Sequence, residues 1–167
     1  MTVTDHINRR AEAWELGAQG YYDAAFEILE GLLKEVPADV VSLRMKGNLL
    51  ELKTLEVMEH SRKKLTSSSD YLAARDCYKK ILDIDPRNVR AHIDLGDHYK
   101  NLDANDRALE HYKQALDLLQ NASRGNDWKE DCDELLKAIS LLTKHERLAG
   151  EAALLEKRCK ALIGVVD

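Results

Sequence analysis

The chain has 167 residues, of which 44% are apolar and 33% charged, a balance typical of a globular domain and not of a disordered segment. Its formal net charge of −5 argues against a partner held through a nucleic-acid backbone. Residues 1–10 hold no apolar run, and no stretch approaches the roughly 18 apolar residues of a membrane span. Three widely spaced cysteines without a Cys-x-x-Cys pair fit a reducing compartment. We therefore expect a cytoplasmic protein that binds neither nucleic acid nor membrane.

Helix breakers are rare, because the chain holds only two prolines, Pro37 and Pro86. The sequence therefore predicts an all-helical protein. A first helical unit covers about residues 5–38 and ends at Pro37. Its second half carries small and apolar side chains at helical spacing, namely Ala25, Leu29 and Leu32.

The first half of this unit allows two helical registers. One buries Ala13 and Leu16. The other buries an alternative stripe made of Ile7, Ala11, Trp14 and Ala18. The sequence leaves open which stripe faces the core, and therefore whether Trp14 is a core residue or a surface anchor.

The second unit covers about residues 40–86. Its first helix has a small residue, Gly47, between apolar neighbours, and its second helix has Ala74 four residues before Tyr78. An insertion at about residues 51–69 separates the two halves. It contains neither Gly nor Pro and is rich in strong helix formers, which predicts that the first helix extends over 40–65.

The end of this insertion is polar, and we expect Ser69 or Asp70 to cap the following helix. A helix extended in this way overhangs its neighbours. Its apolar side chains are then exposed unless other helices cover them: Leu52, Leu55, Val57 and Met58.

The clearest pattern lies in the third unit, at about residues 89–122. Leu95, Gly96 and Tyr99 fall on one predicted helix, and Ala108, Tyr112 and Ala115 on the next. Small residues let two antiparallel helices approach closely. Three polar residues lie between the helices, where they can turn the chain and cap the second helix: Asp103, Asn105 and Asp106. The pattern resembles a tetratricopeptide repeat (TPR), a helix-turn-helix unit of about 34 residues, and the two earlier units resemble it as well.

Two further helices are predicted at about residues 127–143 and 147–164, after a polar break. Their apolar stripes do not share a helical phase, which predicts a break near residues 143–147. We expect Asn126 or Asp127 to cap the first of them. The stripes comprise Trp128, Cys132, Leu135, Ile139 and Leu142, and then Leu148, Ala152, Leu155, Cys159, Leu162 and Val166.

The resemblance implies one domain over residues 1–167, a right-handed α-solenoid of three TPR-like helix pairs plus a C-terminal capping helical pair. In this family, the first helix of each unit lines a concave groove that holds a peptide or helix of a protein partner. The expected function is therefore a non-catalytic interaction module, such as an adaptor, a scaffold or a chaperone-like protein. The alternative is a homo-oligomeric structural protein that associates through the extended helix 40–65 and the C-terminal helices.

The family's groove positions, carried over to this chain, give a set of candidate contact residues. The chaperone-binding clamp of some family members is not expected, because Met45 and Asp94 stand where that clamp has Asn and Arg. The candidate groove residues are Arg10, Trp14, Arg44, Asn48, Glu51, Arg90, Ile93, Asp97, Lys100 and Asn101.

No catalytic pattern appears, since the chain lacks a Gly-rich phosphate loop, a nucleophile elbow and paired cysteines. His92, His98 and His111 are the best metal candidates, but a metal site needs three or four convergent ligands. We expect no metal, no cofactor and no enzymatic activity.

Overall fold

The computed structural model describes residues 3–58, 65–122, 125 and 127–164. That part of the chain holds eight defined helices and no strand, which confirms the predicted all-α class. None of these described helices combines the length and the apolarity needed to cross a bilayer. The helices are α1 Val3–Ala18, α2 Tyr22–Glu35, α3 Val40–Met58, α4 Ser69–Ile84, α5 Val89–Asn101, α6 Asn105–Asn121, α7 Trp128–Leu142 and α8 Ala149–Ile163.

The chain divides into two compact units, Met1–Pro86 and Arg87–Asp167. In the first unit α1 packs along α2 and α3 along α4, while α3 also contacts both helices of the preceding pair. In the second unit α5 pairs with α6 and α7 with α8, and α7 again contacts both helices of the pair before it. Within each unit, therefore, successive helix pairs lie side by side, so that each pair covers the apolar side of the next.

The small residues predicted at helix contacts lie where the paired helices approach each other. A Cβ at Gly96 would overlap the ring of Tyr112, and a Cβ at Gly47 would lie 2.6 Å from Cε1 of Tyr78. Only glycine leaves room for these two rings, so the predicted close contacts are confirmed. The three alanines predicted at such contacts are 0% exposed: Ala25, Ala74 and Ala108.

The register of α1 is decided by its packing. Ala13 and Gly17 are buried, and a Cβ at Gly17 would collide with the side chain of Leu49 on α3. The alternative stripe faces outward, with Ile7 52% and Trp14 48% exposed. Core burial of Trp14, one of the two interpretations that the sequence allows, is therefore wrong.

Helix α3, the first helix of the repeat predicted over about residues 40–86, is long, as predicted. Helix α3 has 19 residues and α5 has 13, so the described part of α3 is longer by 19 − 13 = 6 residues. The remainder of the predicted extension, residues 59–64 and the side chain of Met58, lies outside the described residues. On the described part Val57 is 73% and Leu52 38% exposed.

The cap of α4 differs from the prediction. Ser68, and not Ser69 or Asp70, is the N-cap, and its Oγ accepts a hydrogen bond from the backbone amide of Tyr71 at 3.2 Å. Ser68 has the extended backbone (φ −76°, ψ 121°) that a capping side chain requires, whereas Ser69 already lies within the helix.

No side-chain cap forms at the residue that precedes α6, and Asp127 does not cap α7. Ala104 precedes α6 and has no side-chain oxygen, while Asn105 donates instead to Asp103 Oδ1 at 3.0 Å. Asp103 does make the turn, with a left-handed φ of 62°. Asp127 precedes α7 with a helical backbone (φ −87°, ψ −8°) and makes no capping bond to a described residue, and Asn126 lies outside those residues.

Candidate protein-interaction surfaces

Arg10, a predicted groove residue, is engaged within the fold. Its Nη1 donates to both carboxylate oxygens of Asp39, at 3.1 and 2.9 Å. Asp39 directly precedes α3. Its carboxylate accepts hydrogen bonds from the backbone amide of Val41 at 3.2 Å and from Ser42 Oγ at 2.5 Å. Burial acts to raise the pKa of Asp39, but the hydrogen bonds from Ser42 and the charge of Arg10 outweigh it and hold that pKa below its usual value. Arg10 therefore ties α1 to the start of α3.

Asn48 and Asp97, two further predicted groove residues, accept hydrogen bonds from buried tyrosines. Tyr78 Oη donates to Asn48 Oδ1 at 2.9 Å, and Tyr112 Oη donates to Asp97 Oδ1 at 2.8 Å. In both pairs, the ring lies against the glycine that immediately precedes the acceptor. Burial, followed by the charge and hydrogen bond of Asp97, raises the pKa of Tyr112. Both acceptors therefore satisfy hydroxyl groups that the helix contact has buried.

Trp14 occupies the corresponding place on α1, where the pattern changes. Ala13 precedes it, as a glycine precedes each of the two acceptors. Ala13 and Leu29 share one buried cluster, so a leucine stands where α4 has Tyr78 and α6 has Tyr112. Leucine has no hydroxyl to satisfy, and position 14 needs no acceptor. An indole occupies it instead and remains 48% exposed.

Two more candidates, Arg44 and Glu51, lie on α3 with partly buried side chains. Together with Asn48 they recur at spacings of four and three, which places all three on one side of that helix. Because α1 contacts α3, this polar side of α3 belongs to the same unit as Trp14.

The remaining candidates lie on α5 in the second unit. Arg90 donates to Asp131 at 2.7 Å and lies 3.3 Å from Glu130, so it ties α5 to α7. Ile93 is only 3% exposed and offers little surface to a partner. Lys100 forms an ion pair with Asp97, and Asn101 is half-buried at the end of the helix.

The histidines form a packed cluster at the α5–α6 contact. Nδ1 of His92 lies 3.2 Å from Nδ1 of His111, whose ring stacks on Tyr99 with 5.6 Å between ring centres. In the described part of the chain, no group of three or more His, Cys, Asp and Glu side chains could hold a metal ion. Packing therefore accounts for the positions of these rings.

One further surface escapes prediction from the sequence. An open groove of about 440 Å³ lies between α2, α3 and α4, with Leu33, Leu43, Ala73 and Cys77 among its lining residues. Burial raises the pKa of the Cys77 thiol. The lining residues come from three helices, and their convergence depends on how those helices pack. No spacing in the sequence could have revealed it.

The described part of the chain thus consists of helix pairs, and in two of them, α3 with α4 and α5 with α6, a tyrosine–acceptor contact joins the two helices. Residues 89–119 match the family model for the tetratricopeptide repeat. Residues 89–119 therefore form a tetratricopeptide repeat, at the place that the sequence predicts. Repeats of this kind build extended binding surfaces, which supports a protein–protein interaction or scaffold module.

Among solved structures, the chain is similar to those of MamA. One crystal structure of MamA is 16% identical, with 90% of this chain and 93% of that chain covered and a TM-score of 0.42. MamA AMB-1 in crystal form P212121 is 20% identical, with coverage of 99% and 96% and a TM-score of 0.39. MamA MSR-1 in form C2 is also 20% identical, with coverage of 96% and 97% and a TM-score of 0.39. No curated protein matches the sequence significantly.

Proposed function

We propose that the protein is a non-catalytic interaction module, an adaptor, scaffold or chaperone-like protein that holds a peptide or helix of a protein partner. In the first unit the partner lies against α1 and the polar side of α3. The observation that carries this proposal is the half-exposed indole of Trp14, at a position where α3 and α5 each have a polar acceptor bound to a tyrosine.

An exposed indole at a position with no structural need for it is typical of a binding anchor. Tryptophan is enriched at interface hot spots, since it buries a large apolar area and loses little conformational entropy. Arg44, Asn48 and Glu51 supply polar groups on the neighbouring helix, as expected of the rim around such an anchor. On α5 we propose Arg90, Asp97, Lys100 and Asn101 as contact residues of the second unit, with Ile93 beneath them.

The test uses Trp14→Ala and, as a matched control, Tyr21→Ala, which removes another aromatic side chain that is 62% exposed. Both variants are immobilised beside the wild type, and proteins captured from a lysate are identified by mass spectrometry. We expect wild type and Tyr21→Ala to capture the same partner, and Trp14→Ala to bind it at least about tenfold more weakly, which corresponds to 1.4 kcal/mol. Equal capture by Trp14→Ala would overturn the proposal.

Fluorescence provides a second measurement on the same site. The chain has two tryptophans, and Trp128 is held by a hydrogen bond from Nε1 to the carbonyl oxygen of Leu119 at 3.1 Å. In a Trp128→Phe background the emission reports Trp14 alone. Binding of the captured partner should then shift the emission to the blue, because the indole leaves water.

A second candidate function is self-association, which exposed apolar residues on α3 and on the C-terminal helices favour. Val57 is 73% exposed, while Leu141 on α7 and Leu154 on α8 are 51% and 61% exposed. Light scattering coupled to size-exclusion chromatography tests this function. A mass of at least two chains that falls to one chain in Val57→Glu, but not in Val3→Glu on α1, would support it.

We also propose a cytoplasmic location, which the cysteines support. Cys77, Cys132 and Cys159 are free thiols, and Cys159 Sγ lies only 3.5 Å from the carbonyl oxygen of Cys132. Cysteines outside any disulfide are typical of a reducing compartment. Cell fractionation with an antibody to the protein tests the location, and recovery in a membrane or secreted fraction would contradict it.

A further inference from the structure

The groove between α2, α3 and α4 is distinct from the Trp14 surface. On α3 its residues are Leu43 and Lys46, which lie roughly 140° around the helix from Arg44 and Asn48. A ligand in this groove therefore contacts a different side of α3 and leaves Trp14 accessible.

The groove has an apolar floor. Leu33 of α2, Leu43 of α3 and Ala73 of α4 line it, together with the half-buried Cys77. At about 440 Å³ the space accommodates one or two large apolar side chains of a partner. A purely ionic ligand would leave this floor in contact with water.

The charges at the rim are unequally engaged. Glu30 accepts from Lys46 at 2.9 Å, and Asp76 accepts from Arg75 at 2.9 Å. Within the described part of the chain, Lys34 and Lys80 form no such ion pair, and both side chains are exposed. Both acidic groups of the rim are thus neutralised by partners, and two ammonium groups remain on opposite walls, α2 and α4.

We propose that this groove docks an acidic amphipathic segment of a protein partner, which places an apolar side chain on the floor and carboxylates at Lys34 and Lys80. Two ammonium groups that flank an apolar floor are complementary to a segment with an apolar residue between two acidic ones. A nucleic-acid backbone would pair with the lysines but would leave the apolar floor of the groove in contact with water.

The test uses two fluorescein-labelled amphipathic helical peptides that share their leucines and differ only in the polar face, which is glutamate in one and lysine in the other. Fluorescence anisotropy measures their binding to the whole chain. We expect the acidic peptide to bind at least about tenfold more tightly than the basic one, and its affinity to fall as salt is added.

Variants then place the binding site. Lys34→Glu with Lys80→Glu should weaken the acidic peptide at least about tenfold, since two attractive contacts become repulsive. The control, Lys137→Glu with Lys157→Glu, makes the same change in net charge at exposed positions on α7 and α8 and should leave binding unchanged. Ala73→Phe, which fills the floor and keeps the charges, should also abolish binding. Circular dichroism verifies that each variant is folded.

Three results would overturn the proposal: equal binding of the two peptides, equal loss of binding in the control pair, or an oligonucleotide that displaces the acidic peptide from the wild type. Trp14→Ala should bind the acidic peptide as the wild type does. Failure of this inference therefore leaves the proposed function of the Trp14 surface untouched, and failure of that function leaves this inference untouched.

Discussion

The hydroxyl of Tyr112 donates a hydrogen bond to Asp97 at 2.8 Å, across the contact between α5 and α6. The residue before Asp97 is Gly96, and the absence of a side chain there leaves the space that the ring of Tyr112 occupies. One glycine and one acceptor, adjacent in sequence, thus accommodate both the apolar and the polar part of a buried tyrosine. The same contact, Tyr78 to Asn48, joins α3 to α4 at 2.9 Å.

Gly96→Ala should destabilise the second unit. Its Cβ would overlap the ring of Tyr112, so the ring must move and strain the hydrogen bond to Asp97. Overpacking of this kind costs about 1–3 kcal/mol. Urea denaturation measures the change in the free energy of unfolding.

Gly150→Ala is the matched control for this change. Gly150 also lies in a helix, α8, but no described atom lies within 4 Å of the added Cβ. Alanine there should stabilise the helix by up to about 1 kcal/mol. A loss of stability in both variants would contradict the close contact at Gly96.

Ser68→Ala should cost about 1 kcal/mol, because it removes the side-chain cap of α4, in which Ser68 Oγ accepts a hydrogen bond from the backbone amide of Tyr71. Ser69→Ala changes an exposed residue one position later and should have little effect. Thermal denaturation compares the two variants. A larger effect at position 69 would restore the cap predicted from the sequence.

Asp39 should contribute to stability in a pH-dependent way. Its pKa is held below the usual value in the folded protein, so its contribution is present above the ordinary pKa of the unfolded chain and is lost as the pH falls through the lowered folded value. Asp39→Asn should lower the free energy of unfolding by about 1–2 kcal/mol near neutral pH. The difference from the wild type should shrink in acid.

The control for Asp39 is Asp83→Asn, which changes an exposed carboxylate on α4. Guanidinium denaturation across the acidic range follows both variants. A deficit in Asp39→Asn that stays constant as the pH falls would show that its carboxylate charge is not what stabilises the junction of α1 and α3.

Tyr22 should make the stability of the fold depend on pH in the opposite direction, with a loss of stability at alkaline pH. Burial, reinforced by the hydrogen bond from its hydroxyl to Glu56 Oε2 at 2.6 Å, raises the pKa of Tyr22 from 10.0 to about 12. A raised folded pKa gives stability that is present below 10.0 and lost as the pH rises toward about 12. Wild type should therefore lose more stability than Tyr22→Phe over this interval.

Tyr21→Phe serves as the control for Tyr22, because Tyr21 is the adjacent residue and is 62% exposed. Its loss of stability between pH 10 and 12 should equal that of the wild type. Chemical denaturation at several alkaline pH values provides the comparison. Parallel losses in the wild type and Tyr22→Phe would exclude a raised pKa at this hydroxyl.

The helices and the close contacts between them are predictable from local sequence spacing. Gly96 and Ala108 are small residues at the spacing expected where two helices pack closely. This spacing can be read directly from the sequence. The repeat at residues 89–119 is therefore recognisable from the order of its residues alone.

Which side chains are exposed depends on the tertiary structure. The sequence allows either of two apolar stripes on α1 to face the core. In the structure Ala13 is buried in a cluster with Leu29 and Leu49, whereas Trp14 is exposed. The family pattern predicts Arg10 in the groove, yet Arg10 donates a hydrogen bond to Asp39, which lies 29 residues further along the chain. The groove beside Lys34 and Lys80 likewise gathers residues of three helices. Helical periodicity depends on residues that are close together in the sequence. Exposure and ion pairing depend on which distant helix packs against a residue, and this cannot be read from the spacing of residues.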